Sequence, residues 1–279
     1  EGMFLFMPAY LEQEGFFGTK IVSVFPGNVA RALSTIQAAY LLNDPTTGEV
    51  LALMDGILLT AMRTGATSAL ATKYLSRKDA EVLGIIGAGA QAPFQAEAVS
   101  KVRPIRRIGV YDKEQKMAEN FSEAVSKSLG IPVHVMVSPR EVVVSSDILV
   151  TVTTSTVPVF DGLDLKAGTH INAVGAYTPE MRELDDLTIR RSKIIVDTYE
   201  GCMAEAGDLL IPMRNGNLSR ENIYADLGEI VLGQKPARTR EDEITLFESV
   251  GFALEDLVVA SLAYGRASEK GVGLKFTLV

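Results

Sequence analysis

The chain has 279 residues, 47% of them apolar and 22% charged, a net charge of −8 and one cysteine, Cys202. This is the balance of a globular chain of one large or two ordinary domains; it excludes an internal disulfide and a Cys/His zinc cluster and supplies no basic stripe for nucleic acid. No apolar run reaches the roughly 18 to 20 residues that a membrane span needs, and the start carries no signal-peptide pattern. A cytoplasmic protein is expected, without a nucleic-acid, membrane or metal partner.

Taken in order, MFLFMPAYL, GTKIVSVFP, IQAAYLLND and GEVLALMDG read as antiparallel strands, the last two flanking the Asp-Pro and Gly turn chemistry of DPTTGE. ILLTAMRTGATSALATKYLS reads as a helix with a break near Arg63-Thr64-Gly65. From Ala80 the rhythm changes. VLGIIG, RIGVYD, PVHVMV, DILVTVT, THINAVG and KIIVDT are strands, and helices such as KEQKMAENFSEAVSKSLG stand between them, an alternation that predicts a parallel, doubly wound sheet. Loop-rich segments are expected after Asp197, then a helix of about five turns, FALEDLVVASLAYGRASEKG. That helix can pack back on the N-terminal sheet. The fold class expected is therefore α/β, a Rossmann-type sheet over 80–250 with a discontinuous α+β substrate and dimerisation domain from 1–79 and 251–279.

Gly87, Gly89 and Ala92 form G-x-G-x-x-A between a strand and a helix, the context that gives this motif weight. Gly87 permits the tight turn, Gly89 lets backbone approach a pyrophosphate, and small Ala92 lets helix pack on strand. The helix N-terminus then offers N–H groups and partial positive charge to phosphates. Asp112 ends the second strand, where a carboxylate accepts hydrogen bonds from the adenosine ribose and opposes a 2′-phosphate; NAD(H) is preferred over NADP(H), with the neighbouring Lys113 a weak counterweight. A lone lysine in an apolar strand, Lys20, is also notable, because an unpaired buried ammonium is expensive. It is either a functional cation or an edge residue facing water. His134 and His170, the two histidines, are expected to be structural.

The segments TKIVSVFPGN, AMRTGATSALATKYL, IGAGAQA, NAVGAYTPEMRELD and LFESVGFALEDLV resemble, in order and spacing, the ornithine cyclodeaminase/mu-crystallin family over essentially the whole chain. The resemblance implies a homodimer built from a Rossmann domain and a second domain with the dimer interface. It implies that Lys20 meets the substrate carboxylate or amine and that Val250 lies beside the substrate. Thr35, Ser249 and Arg63 would touch the cofactor, Arg63 through a phosphate suited to its forked donors. Ala90 and Gln91 fall in the pyrophosphate loop, Thr153, Thr154 and Ser155 at a strand end facing the ligand, and Val174, Gly175 and Ala176 beside the nicotinamide. For the Thr/Ser group, plain strand-end capping is the competing reading.

Two departures bear on the reaction. Ornithine cyclodeaminases place an acid/base Asp where this chain has Tyr177, and a lysine where it has Met181. A phenol with a reference pKa near 10 is a poor base at neutral pH, which weakens the cyclodeaminase reading and leaves Tyr177 as a catalytic or pocket-shaping candidate. Pro179 to Leu184 follow the P-x-M-R-E-L of the dehydrogenase and imine-reductase branches. The family's carboxylate-binding arginine lies before the lysine, and a start such as EGMFLFMPAY suggests that an N-terminal segment carrying it precedes this chain. The resemblance thus implies an NAD(H)-dependent oxidoreductase interconverting an L-amino acid with its imine or 2-oxo acid plus ammonia. The alternatives are a cyclodeaminase-like lyase using bound NAD+ and a non-catalytic ligand-binding protein.

Overall fold

The computed structural model describes residues 2–12, 15–31 and 33–276. Two compact units divide the chain, 1–63 with 252–279 and 64–251.

In the first unit, β1 (Met3–Leu11), β2 (Phe16–Val24), β3 (Ile36–Asn43) and β4 (Val50–Asp55) form an antiparallel sheet in sequence order. Their alternation sorts the side chains. One face carries Tyr40, Leu42, Ala52 and Met54, which pack with Leu257 and Ala260 of the last helix, α9 (Ala253–Lys270). The other face carries Phe4, Phe6, Tyr10, Phe17, Ile21 and Leu53, each 38–68% exposed. Lys20 stands opposite Met7 and Tyr40 in register, on the covered face of an inner strand.

The helix α1 (Gly56–Leu75) starts where Asp55 accepts the N–H groups of Ile57 and Leu58. It runs without the break expected near Arg63. Gly65 is instead a packing position, since a Cβ there would lie 2.7 Å from the Phe94 carbonyl oxygen. The division of the chain at Arg63/Thr64 falls inside α1 and sixteen residues before the 79/80 boundary read from sequence. The cause is that Ala71 and Leu75, late in α1, join the core of the second unit with Ile195, Ala225 and Phe247.

That unit continues with β5 (Val82–Ile86), α2 (Ala92–Val102), β6 (Arg107–Tyr111), α3 (Gln115–Leu129), β7 (Val133–Val135), α4 (Pro139–Ser145), β8 (Ile148–Thr151) and β9 (His170–Ala173). Then come α5 (Asp186–Arg191), β10 (Ser192–Val196), α6 (Tyr199–Glu205), α7 (Gly207–Arg214), β11 (Ile223–Asp226), α8 (Leu227–Val231) and β12 (Ile244–Glu248). The sheet is parallel throughout, in the order β11-β10-β12-β9-β8-β5-β6-β7. Successive residues of a strand serve opposite layers: Ile194 and Val196 meet α4 to α7, whereas Ile195 meets α1 and α8. The stretch after Asp197 corrects the loop-rich expectation. It holds three helices and two strands, and β12 sits inside the sheet between β10 and β9. ITLFE is five residues long, too short for its period to announce a strand before its partners are known.

The chain leaves β5 for β6 and β7 on one side and returns to β8 on the other. This reversal is a topological switch point, where ligands bind beyond the carboxyl ends of the strands. Among the described residues no helix is long and apolar enough to cross a membrane.

Candidate active site

Gly87 turns the chain out of β5 with φ +99°, and a Cβ on it would lie 2.7 Å from the Val152 carbonyl oxygen beyond β8. Only glycine fits. Its N–H donates to Tyr111 O at 2.9 Å, and the next N–H, of Ala88, donates to Asp112 Oδ2 at 2.7 Å. The Glu114 N–H takes Asp112 Oδ1 at 2.9 Å. Asp112 therefore ties the glycine turn to the end of β6, with further lone pairs on both oxygens, and Lys113 is exposed. At Gly89 a Cβ would meet nothing within 4 Å. The N–H groups of Gly89, Ala90 and Gln91 have no acceptor among the described residues, and α2 begins without a side-chain cap. Gln91 Oε1 is buried and unpartnered among the described residues. Ala92 is fully buried against the β5 side of the core. An open turn, free donors and an uncapped helix start are what a pyrophosphate requires.

The neighbouring strand ends complete this edge. Thr153 donates its N–H to Glu183 Oε1 at 2.6 Å, and Gly175 donates to Glu183 Oε2 at 2.9 Å. The hydroxyl oxygens of Thr153 and Ser155 accept the N–H groups of Ser155 and Val157, so these two close local turns, while Thr154 is exposed. Ala176 is buried, Val174 half-buried and Tyr177 exposed. Asp197 Oδ2 gathers the Ser249 hydroxyl at 2.9 Å and the N–H groups of Val250 and Gly251 at 2.9 and 2.6 Å. That single carboxylate shapes the turn on which Ser249 and Val250 lie.

In the first unit Lys20 is 2% exposed, which rules out a lysine facing water. Its Nζ lies 2.6 Å from Asp256 Oδ2, and Arg63 Nε lies 3.1 Å from Oδ1 of the same carboxylate. Arg63 also meets Glu255 at 2.8 Å. Two cations and two anions thus form one buried cluster, with both acids in the first turn of α9, where the helix dipole favours them. Burial, and next the Arg63 charge, hold the Lys20 ammonium below its usual range, against the opposing pull of Asp256. Where the sequence reading set Arg63 against phosphates, the structure lays its guanidinium across two carboxylates. Thr35 is half-buried ahead of β3 and lends its carbonyl to Phe25 N–H at 2.8 Å.

Residues 1–271 match the ornithine cyclodeaminase/mu-crystallin family. The chain belongs to that family. It is 42% identical to the Δ1-pyrroline-2-carboxylate reductase of Bacillus cereus over 97% of this chain and 83% of the relative. It resembles the structure of the Thermococcus litoralis Δ1-pyrroline-2-carboxylate reductase in complex with NADH and L-proline at a TM-score of 0.96, with 49% identity, covering 99% of this chain and 85% of that one. It also resembles an archaeal alanine dehydrogenase dimer with bound NAD at a TM-score of 0.93 and 37% identity, covering 100% and 88%. This member of the ornithine cyclodeaminase/mu-crystallin family is an NAD(H)-dependent oxidoreductase acting on the C–N bond of an amino acid or its imine.

Four carboxylates of this family member went unread in the sequence: Asp197, Glu183, and the cation partners Asp256 and Glu255. For the last two a signal existed, an acidic pair opening a long helix. For Asp197 and Glu183 there was none, because what distinguishes them is the backbone of distant loops.

Proposed function

We propose that this protein reduces a cyclic 2-imino acid of the Δ1-pyrroline-2-carboxylate class to the L-amino acid with NADH, acting in the cytoplasm as a homodimer. The observation that carries the reading is the buried Lys20 cluster. Hydride addition to a preformed imine asks the protein for a positioned cofactor, a cation near the substrate and a proton for the nitrogen. Lys20 supplies the last two: an ammonium held below its usual pKa gives up a proton more readily than a free lysine. The likeness to two pyrroline-2-carboxylate reductases supports the substrate class.

The residues present fit a dinucleotide. Gly87, Gly89, Ala90 and Gln91 would hold the pyrophosphate, Asp112 the adenosine ribose, and Val174, Gly175 and Ala176 one side of the nicotinamide; Thr153 to Ser155 and Ser249 would border it. When bound, NADH supplies the hydride. Tyr177 in this reading shapes the substrate pocket together with Val250 and moves no proton. The homodimer is supported by the uncovered apolar face of the four-stranded sheet, a patch larger than scattered surface residues make.

The test is NADH oxidation with Δ1-pyrroline-2-carboxylate, run beside pyruvate with ammonia and beside ornithine. Turnover of the imine without added ammonia is expected. Faster consumption with pyruvate and ammonia would make the protein an alanine dehydrogenase, and ammonia released from ornithine with no net cofactor change would make it a lyase.

A further inference from the structure

Three acids lie fully buried in the second unit: Glu183, Asp208 and Glu248. Their hydrogen bonds distinguish them. Both oxygens of Glu183 accept backbone N–H groups, from Thr153 and Gly175. Asp208 uses Oδ1 for the N–H groups of Glu183 and Leu184, at 2.8 and 2.7 Å, and leaves Oδ2 empty, while both Glu248 oxygens are without partners among the described residues. Burial disfavours charge on all three, and mutual repulsion adds to this for Asp208 and Glu248. Of the three, Glu183 is the one whose hydrogen bonds favour the charged form, since each of its oxygens accepts a backbone N–H.

Glu183 is also built into the wall. A Cβ on Gly175 would lie 2.4 Å from Glu183 Cδ and 2.4 Å from Thr153 O, so the carboxylate packs directly behind the glycine. Asp208 in turn fixes the backbone that presents it.

We infer that Glu183 is a positioning residue for the reduction: its carboxylate brackets the loops after β8 and β9 into one wall, and its charge favours the oxidised nicotinamide over the reduced one. The inference rests on the placement of the nicotinamide against Val174 to Ala176 proposed above. An oxidised nicotinamide ring carries a positive charge that the reduced ring lacks, so a fixed anion behind the wall discriminates between them, whereas a bracket that only supported the loops would not.

The experiment is equilibrium titration of wild type and Glu183→Gln with NAD+, NADH and ADP-ribose, alongside steady-state kinetics of imine reduction. Glu183→Gln is expected to weaken NAD+ about tenfold more than NADH, the size of one modest charge interaction, with ADP-ribose nearly unchanged and kcat lowered more than the KM for the imine is raised. Asp208→Asn, which keeps an acceptor at Oδ1 and a neutral group at Oδ2, is expected to leave the NAD+/NADH ratio as in wild type. Should Glu183→Gln fail to fold, Glu183→Asp retains the charge without the reach: kcat is expected to fall while the NAD+/NADH ratio is kept. Equal weakening of all three ligands by Glu183→Gln, an unchanged ratio, or the same ratio shift in Asp208→Asn or Glu183→Asp would overturn the inference. Failure of the underlying placement has a separate signature. Val174→Phe would then weaken ADP-ribose as much as NADH, and the inference would fall with it.

Discussion

Lys20 was legible because an ammonium within GTKIVSVFP breaks an otherwise apolar strand. Its partner was not, since Asp256 lies 236 residues away. The proposed role of Lys20 separates chemistry from cofactor binding. Lys20→Met is expected to abolish imine reduction while NADH affinity, read by fluorescence titration, stays near wild type. Tyr177→Phe is expected to cost far less; if it proves as damaging as Lys20→Met, the phenol is the acid/base group and the lyase reading returns. Asp112 offers a third test. Asp112→Ala removes the acceptor for the ribose and the repulsion against a 2′-phosphate, so NADH should weaken and NADPH improve relative to it. The same change frees the Ala88 N–H, so the ratio of the two affinities, not NADH affinity alone, is the measurement that decides. An unchanged ratio would remove Asp112 from the adenosine.

The end of α1 shows how an element is finished by residues outside it. The last carbonyls of a helix lack intrahelical partners, and Arg103, at the end of α2, donates to Thr72 O, Lys73 O, Ser76 O and Arg77 O. Arg238 adds a donor to Leu75 O at 2.7 Å. Arg103→Met keeps much of the aliphatic stem and removes the cap. It should lower unfolding stability by about 1 to 2 kcal/mol, the scale of a few part-buried acceptors losing a donor, measurable as a reduced urea midpoint at unchanged slope. A loss under about 0.5 kcal/mol, the range of ordinary surface substitutions, would show that water replaces the guanidinium. At this scale the sequence read the strand–turn–helix units of the glycine motif well and misread α1, because Gly65 looks like a breaker until Phe94 is seen beside it.

For the molecule as a whole, burial of ionisable groups sets the pH range of stability. His170 is fully buried between Thr245 and Asn172, and burial pushes its pKa down from 6.5 to about 3. The unfolded chain therefore binds its proton first. His170's contribution is present above pH 6.5 and is lost as pH falls toward 3. Asp208 works in the opposite sense: burial and the Glu183 charge raise its pKa to about 8, so the stability it contributes at low pH is lost as pH rises from about 4 to 8. Between pH 6.5 and 8 the acids act without His170, and the melting temperature is expected to decline. Asp208→Asn should flatten that decline, as calorimetry across the interval would show; a wild-type protein with level stability there would mean that the buried acids do not hold their protons. The exposed face of the four-stranded sheet makes a further prediction at this scale. Phe6→Glu, placed opposite Ile21 on that face, should shift sedimentation from dimer to monomer, and a wild-type monomer would refute the proposed assembly.

The sequence by itself determined the doubly wound half and the strand–turn–helix run of the glycine motif, because periodicity and turn chemistry act over a few neighbouring residues. It also carried the family, through five ordered segments. Only the tertiary structure decided that Lys20 is paired rather than exposed, that ITLFE is an inner strand, and that Glu183 joins Thr153 to Gly175. Those outcomes depend on contacts between residues far apart in the chain, and no local property of a carboxylate tells which distant backbone it will meet.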